Sequence, residues 1–202
     1  MEKKIITISR EFGSGGRTIG HAVAQALGIP FYDKELVDQI ALESGFSSNF
    51  VEEHGEHAPG KTMFSYAFAS QGVPGMMHNL STADFLWHIQ CNVILQLADK
   101  GPCVIVGRNA DYILKDRPDA LHVFIHANDA FRADRIVRLY GESEKSPETR
   151  LNEKDKRRRV NYQHYTGRTW GQAQNYDLCL NSSTLGEDAC AKIIVDAFNN
   201  SK

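Results

Sequence analysis

Ile5-Ile6-Thr7-Ile8-Ser9-Arg10-Glu11-Phe12-Gly13-Ser14-Gly15-Gly16-Arg17-Thr18-Ile19-Gly20 decides the fold. The apolar, β-branched run over 3–8 predicts a strand. A cluster of small residues stops it. The spacing of Ile19, Ala22, Val23, Ala26 and Leu27 then predicts a helix over about 17–28, ended by Gly28 with Pro30 just beyond. Strand, glycine turn and helix in that order make a phosphate cradle. Glycines let backbone N–H groups turn inward, and the helix N-terminus adds partial positive charge.

The rest of the chain repeats the alternation. Pro30-Phe31-Tyr32 reads as a short strand ending at Asp33, followed by a helix through Leu36, Val37, Ile40 and Leu42 to about Gly45. Ser47 is placed to cap a short helix reaching about Glu53. A long helix is expected from Asp84 to about Asp99, with Phe85, Ile89, Val93 and Leu97 on its apolar face. Gly101-Pro102 breaks it, and Cys103-Val104-Ile105-Val106 reads as a central strand. Residues 121–126 form another strand, 129–140 a helix, 148–165 a charged helix and 176–180 the last strand. A final helix over about 186–198 carries Ala189, Ile193, Val195 and Phe198. Strands alternating with helices predict a parallel sheet covered on both faces, with ligands at the carboxyl ends of its strands.

Composition narrows the function classes. The chain has 202 residues, enough for one sizeable α/β core. A net charge of −2 supplies no global attraction to nucleic acid. No apolar run approaches the roughly 20 residues of a membrane span, and the start goes straight into a strand-like run without a signal-peptide block. Cys91, Cys103, Cys179 and Cys190 are widely spaced, with Cys103 and Cys179 in apolar runs and expected to be buried. A reducing cytoplasm is the expected setting. His54 and His57 lack further suitably spaced metal ligands. The Gly-, Pro-, Met- and aromatic-containing stretch 55–78 reads as an apolar insertion or as a lobe packed on a second subunit, which makes a homodimer a candidate assembly.

The loop lacks the lysine of G-x-x-x-x-G-K-[ST]. Gly16 stands where lysine belongs, and Arg17 follows. An arginine supplies charge from a direction that differs by one residue. Gly13, Ser14, Gly15, Gly16, Arg17 and Thr18 are the expected phosphate cradle, and Thr18 the expected magnesium ligand. A dinucleotide reading stays open, since Gly13-x-Gly15 matches two glycines of G-x-G-x-x-G and only Asp33 serves as its acid. Cations needed for phosphoryl transfer follow in the second half. Arg132, Arg135 and Arg138 recur every three residues, and Asp155, Arg158 and Tyr162 share a helix face. Arg108, Asp155 and Arg158 are candidate site residues, while Arg157 and Arg159 read as a solvated face. Asp33 is a candidate proton acceptor or metal organiser, and also a candidate helix N-cap.

With these residues in place, the chain resembles the cytidylate-kinase-like family, within the P-loop nucleoside monophosphate kinases. The matching stretches are ITISREFGSGGRTIG, PFYDKEL, CVIVGRNADYIL, HVFIHA, DKRRRVNYQHYTGRTWG and NYDLCLNSS, in the family's order. The resemblance implies a three-layer α/β/α P-loop NTPase fold with a parallel sheet, one domain over 1–202. It also implies an inserted segment resembling a nucleoside-monophosphate-binding helical region over about 34–100, and a short lid over about 141–165. It implies an ATP- and magnesium-dependent phosphotransferase acting on a nucleoside monophosphate, CMP or dCMP first, with small nucleotides as its partners. Asp33 matches the acid near the acceptor phosphate, Gly107-Arg108-Asn109 matches Gly-Arg-Asp, and Asp155 and Arg158 match the lid-helix pair. Asn109 replaces the family's acid, and Lys34-Glu35-Leu36 lacks its serine- and arginine-bearing motif. The missing lysine motivates a second reading, a nucleotide-binding regulatory protein without efficient catalysis. The 61–77 segment motivates a third, a kinase of another small metabolite.

Overall fold

The computed structural model describes residues 4–55 and 81–201. Its centre is β1 (Ile5–Arg10), in which Ile5, Ile6 and Ile8 are fully buried and Thr7 nearly so. β1 pairs in parallel with β3 (Cys103–Val106) on one side and β4 (Ala120–His126) on the other. β2 (Phe31–Tyr32) flanks β3, and β5 (Leu178–Asn181) flanks β4. The order β2-β3-β1-β4-β5 is parallel throughout, the α/β arrangement that strand–helix alternation predicts.

Alternate residues feed two cores. Ile5, Cys103 and Ile105 pack with Leu36 and Ile40 of α2 (Lys34–Ser44) and with Val93, Ile94 and Leu97 of α4 (Thr82–Lys100). Ile6, Ile8, Val104 and Val106 pack with Ile19 and Val23 of α1 (Gly16–Leu27) and Ile194 of α9 (Glu187–Asn200). Helices thus cover both faces, giving three layers. α3 (Ser48–His54) follows α2, and Ser47 caps it by accepting from the Phe50 amide. α6 (Asp129–Tyr140) and α7 (Pro147–Thr166) stand at the carboxyl end of the sheet, joined to its first loop by polar contacts. Two four-residue helices, α5 (Ala110–Ile113) and α8 (Ser182–Leu185), are too short to show a period in the sequence.

Packing corrects several expectations. In α4 the buried positions include Leu86 and Ile94, while Phe85 and Ile89 are half-buried, because the helix meets both the sheet and α2. In α9 the buried face is Cys190, Ala191 and Ile194, one step away from the predicted Ala189 and Ile193. Cys179 is exposed, since β5 is an edge strand with one face toward solvent. Asp33 occupies the N-cap position of α2 but makes no capping hydrogen bond there. Most of the 55–78 insertion lies outside the described residues. Among the described residues no helix is long and apolar enough to cross a membrane.

Ile8 is the natural probe of this core. Ile8→Ala is expected to cost about 2–5 kcal/mol in urea unfolding. Val160→Ala, at a position 49% exposed, is expected to stay within about 0.5 kcal/mol of the parent. Equal losses in the two variants would contradict the assigned core.

Candidate active site

Register brings the site together. Ile8 is level with Val106, and the Gly107 amide donates to the Ile8 carbonyl at 3.0 Å. The residues that follow each strand therefore meet. Ser9 and Arg10 from β1 and Gly107, Arg108 and Asn109 beyond β3 line one cleft, with Arg158 and Asn161 of α7 and Trp170 closing it.

The chain leaves β3 through an unusual turn. Gly107, Arg108 and Asn109 have φ of 73°, 56° and 55°. Two successive non-glycine residues in this region cost about 1–3 kcal/mol each, so their surroundings must hold them. Gln90 Nε2 donates to the Arg108 carbonyl at 2.8 Å, and Asn109 Nδ2 donates to Asn161 Oδ1 at 2.8 Å. The Arg108 side chain is 8% exposed, and its Nη1 donates to the Val51 carbonyl at 3.2 Å. Arg108 is thus a buried cation carried on a braced turn.

The glycine loop is stapled from behind. The Glu11 amide donates to the Ile125 carbonyl. Ser14 Oγ donates to the Glu11 and Ile125 carbonyls at 2.9 and 3.1 Å, and Ser182 Oγ donates to the Ser14 carbonyl. The Ser14 side chain, a predicted cradle member, is fully buried and serves this staple. Gly15 stands at the N-cap of α1 with φ of 82°, where a side chain would be strained. No side chain caps α1, and its first turn holds no acid, whereas Ser47, Ser81, Asn128 and Ser146 cap α3, α4, α6 and α7. The start of α1 thus offers amide donors that no side chain caps, and the carboxylate packed against Gly15, that of Glu187, is ion-paired with Arg135 at 2.8 Å, which fits a phosphate group of a nucleotide.

α7 docks on this loop through a carboxylate. Asp155 is 4% exposed; its Oδ1 accepts from the Phe12 amide at 2.7 Å and its Oδ2 accepts from Arg132 Nη1 at 2.5 Å. Arg132 also pairs with Glu11 and Asp129. Asp155 and Arg158, which match the lid-helix pair, form an ion pair at 3.7 Å, but the shorter bonds of Asp155 go to Arg132 and Phe12. Its task is to fasten α7. Arg158 Nη1 donates to the Arg10 carbonyl at 3.3 Å, which holds it at the mouth of the cleft.

Other predicted residues are placed elsewhere. Arg17 is 53% exposed and ion-paired with Asp33 at 2.7 Å, so each answers the other's charge outside the cleft lining. Thr18 Oγ1 accepts from Arg135 Nη2 at 2.8 Å. A guanidinium on this hydroxyl disfavours a dication there, so the expected magnesium role of Thr18 is not retained. Arg135 also pairs with Glu187, and Arg138 with Asp134. The predicted three-arginine face is therefore spent on ion pairs. Arg157 and Arg159 are exposed, as expected. Among the described residues no cluster of three or more histidine, cysteine or acidic side chains forms a metal cage. A magnesium ion would be held mainly by donor phosphates and water.

Sequence reasoning missed Arg10 and the buried polar group beneath the cleft. Asp111 Oδ1 accepts from Ser9 Oγ at 2.9 Å, and its Oδ2 accepts from the Tyr162 hydroxyl at 2.7 Å. Burial pushes the Asp111 carboxyl above its ordinary range, only partly offset by these hydroxyls. Burial, together with the neighbouring Asp111 charge, likewise pushes the Tyr162 hydroxyl up. Three residues of three distant segments carry this group, and only Tyr162 had a periodicity to reveal it.

The model of the cytidylate kinase-like family matches residues 5–184. An uncharacterized protein from Eubacterium ventriosum is 26% identical, with a TM-score of 0.73 over 98% of this chain and 99% of that one. Shikimate kinases from Acinetobacter baumannii and Bacteroides thetaiotaomicron are each 15% identical, with TM-scores of 0.56 and 0.55. They cover 99% and 95% of this chain and 96% of each of theirs, and show a shared fold. The comparison with curated proteins finds no match.

Asp111→Asn tests the buried carboxyl. A native carboxyl with a raised pKa binds its proton more tightly than in the unfolded chain, so its share of stability falls as pH rises above about 4. Urea unfolding across pH is expected to show the stability gap moving in the variant's favour with rising pH. Parallel pH profiles would contradict this assignment.

Proposed function

We propose, from the premise that the chain belongs to the cytidylate kinase-like family, that it transfers the terminal phosphoryl group of ATP to a nucleoside monophosphate. Cytidylate or deoxycytidylate is the leading acceptor. The family and the kinase fold support the phosphotransferase class. The observation that carries the reading is the meeting of Arg108 and Arg158 in one cleft between the carboxyl ends of β1 and β3, beside the uncapped start of α1.

The residues divide the work as follows. Backbone amides at Gly15, Gly16 and the first turn of α1 bind donor phosphates. Magnesium bound with the donor neutralises phosphate charge. Arg108 and Arg158 stabilise charge on the oxygens of the transferred group, and their partly desolvated setting strengthens that effect. Asp155 keeps α7 seated on the loop, so that Arg158 stays at the cleft. Asp33 and Arg17 line the approach to the acceptor. The segment 34–100 serves as the acceptor-binding insertion and 141–165 as the lid. Closure of the Gly141–Pro147 loop excludes water, whose attack would waste ATP.

A coupled ADP-release screen over nucleoside monophosphates tests the reading. Turnover is expected with CMP or dCMP, and Arg158→Ala is expected to lower kcat by about a hundredfold or more. Saturable ATP binding without turnover on any acceptor would contradict it and favour a nucleotide-binding regulator. Turnover confined to a non-nucleotide acceptor would favour a small-metabolite kinase.

A further inference from the structure

We propose that Arg10 is the cation that grips the donor's terminal phosphoryl group, replacing from the end of β1 the lysine missing at position 16. The proposal rests on the phosphotransferase reading above for the identity of the donor.

Three positions of the loop depart from the pattern, and two of them, 10 and 16, meet in space. In the pattern G-x-x-x-x-G-K-[ST], positions 10, 15 and 16 of this chain align with the first glycine, the second glycine and the lysine. Here arginine stands at 10 and glycine at 16. The geometry ties the two positions together. A Cβ at Gly16 would lie 2.5 Å from Arg10 Cβ and 3.0 Å from its Cγ. A side chain at 16 and the arginine stem at 10 therefore compete for one space.

The far end of Arg10 has its own slot. A Cβ at Gly107 would lie 1.8 Å from Arg10 Nη1 and 2.7 Å from its Cζ. Gly16 and Gly107 thus clear a path for one side chain, from the start of α1 to the turn after β3. That path delivers the guanidinium to the cleft that Arg108 and Arg158 also line. Arg158 donates to the Arg10 carbonyl, which ties the two arginines to one piece of backbone. A planar guanidinium with forked donors suits two oxygens of a terminal phosphoryl group. Arg17, the cation expected from sequence, is paired with Asp33 and half-exposed. Lys3, another cation that the sequence offers, lies outside the described residues.

Titration calorimetry with inorganic tripolyphosphate, and with ATP and magnesium, tests the role in the full chain. Arg10→Gln is expected to weaken tripolyphosphate binding by about tenfold or more, and Arg10→Lys to recover part of the loss. The exchange is the sharper test, with thermal melting run beside it to separate folding from binding. Gly16→Lys alone is expected to bind poorly, and Arg10→Gly with Gly16→Lys to bind better than either single change. Binding by folded Arg10→Gln within twofold of the parent would overturn the proposal, as would no tripolyphosphate binding by the parent. Failure of the phosphotransferase reading looks different: tripolyphosphate binding still depends on Arg10, while no nucleoside monophosphate is turned over.

Discussion

The Gly107 amide donates to the Ile8 carbonyl one step beyond the β1–β3 ladder, and that bond sets the two strand ends level. Much of the candidate site depends on it. Arg10 leaves β1 and Arg108 leaves the turn after β3 at the same height, so two cations from distant segments enter one cleft. A parallel sheet makes such a meeting possible because the ends of its strands all lie on one side. The buried apolar faces of β1 and β3 hold the register, since a slip by one residue would exchange the two cores that alternate residues feed.

Charge balance then distinguishes the arginines by the partners they hold. Arg132, Arg135 and Arg138 are matched by Asp155, Arg135's partner Glu187 and Asp134 respectively. Arg17 is matched by Asp33. Arg108 instead bonds a backbone carbonyl, as does Arg158, which lies 3.7 Å from Asp155, itself engaged by Arg132. Neutral carbonyl partners leave more of a guanidinium's charge available to an anion than a close carboxylate does. The site's chemistry follows from this division more than from the number of arginines in the sequence.

The fold was legible in the sequence because its signals are local. The β-branched run of β1, the glycine after α1, Ser47 before α3 and the apolar run of β3 each announce an element. Arg108 and Arg158 were legible as well, through the end of a strand and a helix period. Arg10 was not, because its meaning lies in the emptiness of Gly16 and Gly107, and one of those glycines is far away in the chain. Asp111 was hidden for a similar reason: Ser9 and Tyr162 reach it from two other segments. Asp155 was legible only in part. Its three-residue spacing from Arg158 suggested a pair, which the structure holds at 3.7 Å, and packing of α7 against α6 and the loop adds the closer partners Arg132 and Phe12. The exposure of Cys179 depends on strand order, which no local pattern states.

The most direct measurement is a crystal structure of the chain with a non-hydrolysable ATP analogue, magnesium and CMP. The account predicts the analogue's triphosphate along the start of α1, with its terminal phosphoryl group within hydrogen-bond reach of Arg108 or Arg158 and facing the acceptor phosphate. A triphosphate bound away from the cleft between β1 and β3, with both arginines keeping their present carbonyl partners, would contradict it.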